Sequence, residues 1–135
     1  MSTTSTESRA ARYLRLGLRV LLTALFLLVS VTKVLQFDFM MTNMAELHFF
    51  TLPTVVIGII ELAAAVMLWL PRWRTLALSV LLLIMAGSAG AHWGFGHPVS
   101  EVVPSFVVAT LVFALLWLER GRALWQFVVP TPVRA

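Results

Sequence analysis

A single carboxylate, Glu61, lies near the middle of an apolar run that is long enough to cross a lipid bilayer. The run covers residues 53–70 (PTVVIGIIELAAAVMLWL), and no other residue in it carries a charge. An ionised carboxylate at membrane depth costs roughly 2.5–3.5 kcal/mol on insertion-based scales, so such a residue ordinarily has a partner or a purpose. A fold for this chain must therefore give Glu61 one of the two.

The composition is typical of a membrane-embedded protein. Of the 135 residues, 60% are hydrophobic and only 12% are charged, and the mean hydropathy is +0.94. A water-soluble domain of this length needs more polar surface. The chain has no cysteine, which excludes thiol relays, cysteine-ligated iron–sulfur clusters and disulfides. The net charge of +4 does not indicate nucleic-acid binding, because the basic residues flank the apolar runs and there contact lipid head groups.

Four apolar runs predict an all-α membrane protein, a four-transmembrane-helix bundle without a separate soluble domain. The predicted spans are residues 16–35, 53–70, 75–91 and 104–118. Residues 1–15 are predicted to form a disordered, basic N-terminus, and residues 119–135 a C-terminal tail. The Phe- and Met-containing segment 36–52 suits a short helix at the membrane surface, which either lids the bundle or serves only as an amphipathic connector.

The distribution of basic residues predicts the orientation of the bundle. Nine of the ten fall on one side of the predicted spans, namely Arg9, Arg12, Arg15, Arg19, Arg72, Arg74, Arg120, Arg122 and Arg134. Only Lys33 lies towards the other side. The positive-inside rule then places both termini in the cytoplasm. No small-residue cleavage site follows the first run, which favours a retained span over a cleaved signal peptide.

Polar and small residues on three of the predicted spans are spaced to share helix faces. The pairs lie three or four residues apart: Ser30 with Lys33, Gly58 with Glu61, and Ser88 with His92. The flexible lysine stem can reach inward, so an ion pair between Lys33 and Glu61 is geometrically feasible. We predict a polar pocket open towards the outer face, with Glu61, Lys33 and His92 as catalytic, proton-handling candidates and Ser30, Gly58 and Ser88 as ligand-binding candidates.

Other interpretations of these residues remain open. The ion pair can be purely structural, kept because each charge alone would be less stable, or Lys33 can extend to the outer interface without pairing. Six residues predicted on the outer side are of types that can bind a metal ion, namely His48, His92, His97, Asp38, Glu46 and Glu101. Because the H-x4-H spacing of His92 and His97 matches no strong metal signature, no metal ligand and no haem is predicted.

Four short motifs follow one another along the chain. They are FLLVSVTKV (residues 26–34), GIIEL (58–62), the basic turn PRWR (71–74) and MAGSAGAH (85–92). Their order, spacing and charge placement resemble the DoxX family, most closely its DoxX-like branch of small four-span bacterial membrane proteins, over roughly residues 21–117. The family more usually has glycine before the lysine, where this chain has Ser30 and Val31, and this difference implies looser helix packing there.

The resemblance implies a four-helix bundle in the bacterial cytoplasmic (inner) membrane and an association with membrane redox chemistry. On this basis we expect an accessory or anchor subunit of a quinone-linked system, at most a subunit of an oxidoreductase. A quinone is the cofactor compatible with this expectation, and a soluble or membrane oxidoreductase is the partner. The composition implies contact with the lipid bilayer, and the sequence leaves a homo-oligomer open. A non-catalytic membrane scaffold or assembly chaperone is the alternative, and a small-molecule transporter is a third.

Overall fold

Helices account for all the regular secondary structure in the described part of the chain. The computed structural model describes residues 8–128, with side chains for residues 8–120. These residues form five α-helices and no strand: α1 (Arg9–Val34), α2 (Asp38–Glu46), α3 (Thr51–Met67), α4 (Arg74–Gly94) and α5 (Val99–Val128). The predicted all-α membrane bundle is confirmed. The predictions for residues 1–7 and 129–135 lie outside the described residues.

The lengths of the helices bear on how many of them cross the membrane. Among the described residues, α1, α4 and the part of α5 up to Arg120 are long and apolar enough to span a bilayer. The shorter α3 has 17 residues, about 25 Å at helical rise. It follows α2 at a bend of 109°, and the two helices together meet the same criteria as one broken span. Residues 8–128 thus contain three candidate spans, or four when the bent pair counts as one.

The first and last helices extend beyond the predicted spans. α1 begins at Arg9, after Ser8 accepts a hydrogen bond from the backbone N–H of Ala11 at 3.2 Å, which satisfies one of the free donors of the first turn. α5 continues past Leu118 to Val128. The domain boundaries expected after residues 15 and 118 therefore fall inside helices.

The bundle consists of two closely packed helix pairs. α1 packs mainly against α3, and α4 mainly against α5, while contacts of α1 with α5 and of α3 with α4 join the two pairs. α3 buries the small-residue face expected from its spacing, which carries Glu61 and is completed by Thr54, Gly58, Ala64 and Ala65. Such residues let helix backbones approach closely. Large apolar side chains on the outside, such as Leu28 and Leu83, are exposed, and this surface implies contact with the lipid bilayer.

One end of the bundle is held by a cluster of charged residues. Glu119 on α5 accepts hydrogen bonds from Arg19 on α1 at 3.3 Å and from Arg74 on α4 at 3.2 Å. Arg74 also donates through Nε to the backbone oxygen of Leu68, just after α3, at 2.8 Å. One carboxylate and two guanidinium groups thus connect all four long helices at this end.

We expect Glu119→Gln to lower the Tm of the detergent-solubilised protein, corresponding to a loss of about 1–3 kcal/mol. Both arginines lose their anionic partner, although their side chains remain only 16% and 13% exposed. Glu46→Gln is the matched control, since it makes the same chemical change at an exposed position. Thermal unfolding of both variants tests the prediction, and equal Tm values would contradict it.

Candidate functional site

Glu61 has an ion-pair partner inside the bundle. The Lys33 ammonium lies 2.8 Å from both carboxylate oxygens of Glu61 and donates to each. The Glu61 side chain is fully buried, and that of Lys33 is 7% exposed. A buried ion pair is stable only when its geometry is good and its polar atoms are satisfied, and a two-oxygen contact at this distance meets the first requirement. The carboxylate therefore has the partner that its position in an apolar helix requires.

A glycine allows α3 to approach α1 at the level of this pair. A Cβ atom built on Gly58 would lie 2.8 Å from Cβ of Lys33 and 3.2 Å from the backbone oxygen of Ser30. Ser30 is fully buried, and its hydroxyl donates to the backbone oxygen of Leu27 at 3.1 Å. The packing expected to be looser at Ser30 is instead close. Gly58 and Ser30 thus contribute to the site by bringing the two helices together.

A cavity of about 520 Å³ lies between α1, α2, α4 and α5. This volume is within the range of small-molecule sites, about 300–1,000 Å³. Its wall is largely apolar, formed by leucine, valine, methionine and phenylalanine side chains. The polar residues in the wall are Lys33, Asn43, Glu46, Ser88, His92, Ser100, Glu101 and Ser105. An apolar wall with a few polar groups is the usual construction of a ligand site.

The six predicted site residues divide into two groups. Lys33, Ser88 and His92 line the cavity. The other three residues lie at the contact between α1 and α3, namely Ser30, Gly58 and Glu61. Of these, Glu61 is connected to the cavity through its bond to Lys33. An ammonium group has three N–H donors, so the two contacts with Glu61 leave one N–H that an acceptor beside Lys33 can use. The arrangement can therefore hold a carbonyl or anionic oxygen at a fixed, positively charged group.

Sequence reasoning missed the contribution of the start of α5 to the cavity and left that of α2 open. Met40 and Met44 from α2 line it, and Ser105 from α5 lines it while sharing a hydrogen bond with Ser88 at 3.0 Å. For segment 36–52, a lid on the bundle and an amphipathic connector were the two alternatives. Ser105 had a signal of its own, because it is a small polar residue at the start of an otherwise apolar run.

Two histidines and a glutamate come together where α4 turns into α5. His92 is in the last turn of α4, and Glu101 is in the first turn of α5. Between them, Gly96 adopts φ +71°, a left-handed conformation that favours glycine. Nδ1 of His97 lies 3.1 Å from Nδ1 of His92 and 2.9 Å from Oε2 of Glu101. His92 and Glu101 also line the cavity, so this group adjoins it.

Comparison with known proteins gives one result. A model of the DoxX-like family matches residues 17–115, a range that contains the Lys33–Glu61 pair and every residue of the cavity wall. Comparison with curated proteins and with solved structures gave no match.

Proposed function

The chain belongs to the DoxX-like family, and on this premise we propose that it is an accessory or anchor subunit of a quinone-linked redox system. The observation that carries the proposal is the cavity of about 520 Å³, which is lined by Lys33, the ion-pair partner of Glu61. The proposed location is the bacterial cytoplasmic membrane, with both termini in the cytoplasm. In this orientation the cavity faces the outer side.

A quinone suits the chemistry of this cavity. It has an apolar ring, which the methionine and leucine side chains of the wall can contact, and methionine adapts to varied ring shapes. Its carbonyl oxygens need donors. The third N–H of Lys33 can provide one, and a second can come from Ser88 or Ser105, whichever hydroxyl is not the donor in their shared hydrogen bond. Because a carbonyl oxygen gains negative charge as electrons enter the ring, a fixed cation would favour electron uptake before that oxygen is protonated.

Reduction of a quinone to a quinol consumes two electrons and two protons. In this proposal an oxidoreductase partner supplies the electrons. The protons reach the carbonyl oxygens from the outer side through Lys33 and His92, which carry dissociable N–H groups and line the cavity. Glu61 is a positioning residue, because it holds the ammonium through both of its oxygens.

The proposal is tested by isolating the protein from its native membranes in mild detergent. We expect an oxidoreductase to co-purify in near-stoichiometric amount, as identified by mass spectrometry, and a quinone to appear in the solvent extract by liquid chromatography. Val108→Trp places a large ring in the cavity wall and should remove the quinone while the partner remains. Leu83→Trp is the control, because Leu83 is 73% exposed on the outside of the bundle.

Two outcomes of this isolation would contradict the proposal. The first is a wild-type preparation that contains neither a quinone nor an oxidoreductase. The second is equal quinone content in Val108→Trp and Leu83→Trp, which would place the quinone outside the cavity.

A second candidate function, that of a membrane scaffold or assembly chaperone, is favoured by one face of α4. Gly87, Gly90 and Gly94 follow the helical repeat, and a Cβ atom at any of them would meet nothing within 4 Å. Small residues exposed along a membrane helix let another helix approach closely, whether from a client protein or from a second copy of this chain. In the same isolation, membrane clients without a redox group, and no quinone, would favour this function.

A further inference from the structure

The group at the α4–α5 turn has the geometry of a metal site, although the H-x4-H spacing by itself predicts none. Its three candidate ligand atoms are Nδ1 of His92, Nδ1 of His97 and Oε2 of Glu101. The two nitrogens are 3.1 Å apart, and the oxygen lies 2.9 Å from the nitrogen of His97 and 3.8 Å from that of His92. A point about 2.0–2.1 Å from all three atoms exists, which matches Zn–N and Zn–O bond lengths.

Protons alone satisfy this arrangement poorly. Nδ1 of His97 is in short contact with both other groups, yet a ring nitrogen carries either one hydrogen or one lone pair. If Nδ1 of His97 donates its hydrogen to Glu101, then Nδ1 of His92 can accept only the same hydrogen, in a bifurcated bond. If it accepts from His92, its lone pair faces a carboxylate oxygen. A cation, in contrast, is bound by the lone pairs of all three atoms at once.

We propose that His92, His97 and Glu101 bind a divalent transition-metal cation of the zinc type beside the cavity. Two histidines and a glutamate with a free coordination position form a known class of zinc site. The side chains are 17%, 16% and 44% exposed, so a cation can enter from the surface. Because His92 and Glu101 also line the cavity, the site adjoins it, and the free position can take a water or another oxygen ligand.

Local structure explains how the ligands come together. The turn at Gly96 folds the chain back, and the backbone N–H of His97 donates to the backbone oxygen of His92 at 3.0 Å. His97 and Glu101 are four residues apart at the start of α5, a spacing that places two side chains on one helix face. All three ligands therefore come from one ten-residue segment, and the site does not depend on the packing of distant helices.

Cobalt is a suitable probe, because Co²⁺ occupies zinc sites and absorbs visible light more strongly when its coordination number is low. Full-length protein carrying a histidine-free tag is stripped with a chelator in detergent and titrated with Co²⁺, then with Zn²⁺. We expect one equivalent of Co²⁺ to bind with the spectrum of a four- or five-coordinate ion, and Zn²⁺ to displace it.

Variants locate the cation within the chain. We expect His97→Ala and His92→Ala each to weaken Co²⁺ binding at least about 100-fold, since even second-shell changes cost about 10–100-fold. His48→Ala is the matched control and should bind like the wild type, because His48 lies outside the group and stacks on Phe95 with ring centroids 4.6 Å apart. Circular dichroism verifies that each variant is folded.

Two results would overturn the proposal. One is wild-type protein that binds less than a half equivalent of Co²⁺ or Zn²⁺ after dialysis, a measurement that requires no variant. The other is a His92→Ala/His97→Ala protein with unchanged affinity, which would locate the cation elsewhere. Neither result concerns the quinone, whose binding is measured by extraction, so the two proposals fail independently. A cation bound by His92 would leave Lys33 as the proton donor.

Discussion

Replacing Glu61 by leucine is expected to lower the free energy of unfolding by about 3–5 kcal/mol, the usual cost of removing one partner of a buried ion pair. The expected loss arises mainly from Lys33, whose ammonium group would remain 7% exposed without the carboxylate that now contacts it at 2.8 Å. Reversible denaturation in mixed micelles measures the change. If Lys33 were instead able to extend to the membrane surface, the loss would be small.

The double variant Lys33→Met/Glu61→Leu is the control for this experiment. It removes both charges and keeps side chains of similar volume, so we expect it to regain most of the stability that the single variant loses. Replacement of buried ion pairs by apolar residues is often neutral or stabilising. A double variant as unstable as Glu61→Leu would contradict this account, because it would mean that packing rather than an unpaired charge causes the loss.

The same double variant separates a structural ion pair from a functional one. Its bundle should be intact, but its cavity has lost the ammonium. If it still contains as much quinone as the wild type and still supports the redox activity of its partner, then the pair only stabilises the fold. Loss of the quinone from a folded double variant supports a ligand-holding role for Lys33.

The helices and the ion pair could be predicted because strong, local physical terms determine them. Apolar runs of bilayer length form helices, since a membrane leaves no other way to satisfy the backbone. The cost of an isolated charge required a partner for Glu61, and Lys33 was the only basic residue predicted on the side of the bundle away from the arginines. The small residues around Glu61 indicated which face of α3 is buried, and the structure buries that face.

The sequence predicted a polar pocket, but not the shape of the cavity, because that shape depends on how the chain turns into and out of α2. Gln36 and His48, on either side of α2, have φ values of 56° and 60°. Few residues other than glycine adopt this left-handed conformation, so no sequence pattern marks these turns. The proximity of His97 and Glu101 to His92 likewise results from the turn at Gly96, whereas their spacing along the sequence matches no strong metal signature.

Gly58→Ala is expected to destabilise the protein by about 1–3 kcal/mol, the cost of overpacking a well-packed core. The added methyl group would lie 2.8 Å from Cβ of Lys33 and 3.2 Å from the backbone oxygen of Ser30. Neither neighbour is the end of a flexible side chain, so relief requires α3 to move away from α1. This cost outweighs the gain of up to about 1 kcal/mol that alanine brings to a helix interior.

Gly90→Ala is the matched control, since the same methyl group at Gly90 meets nothing within 4 Å. It should gain up to about 1 kcal/mol, because only helix propensity changes there. When both variants are unfolded under identical conditions, we expect their free energies of unfolding to change in opposite directions. A stabilised Gly58→Ala would contradict the close contact of α1 and α3.

Because Gly58 and Glu61 share one face of α3, the movement that relieves the clash also separates Glu61 from Lys33. We therefore expect Gly58→Ala, unlike Gly90→Ala, to lower the quinone content of the isolated protein as well as its stability.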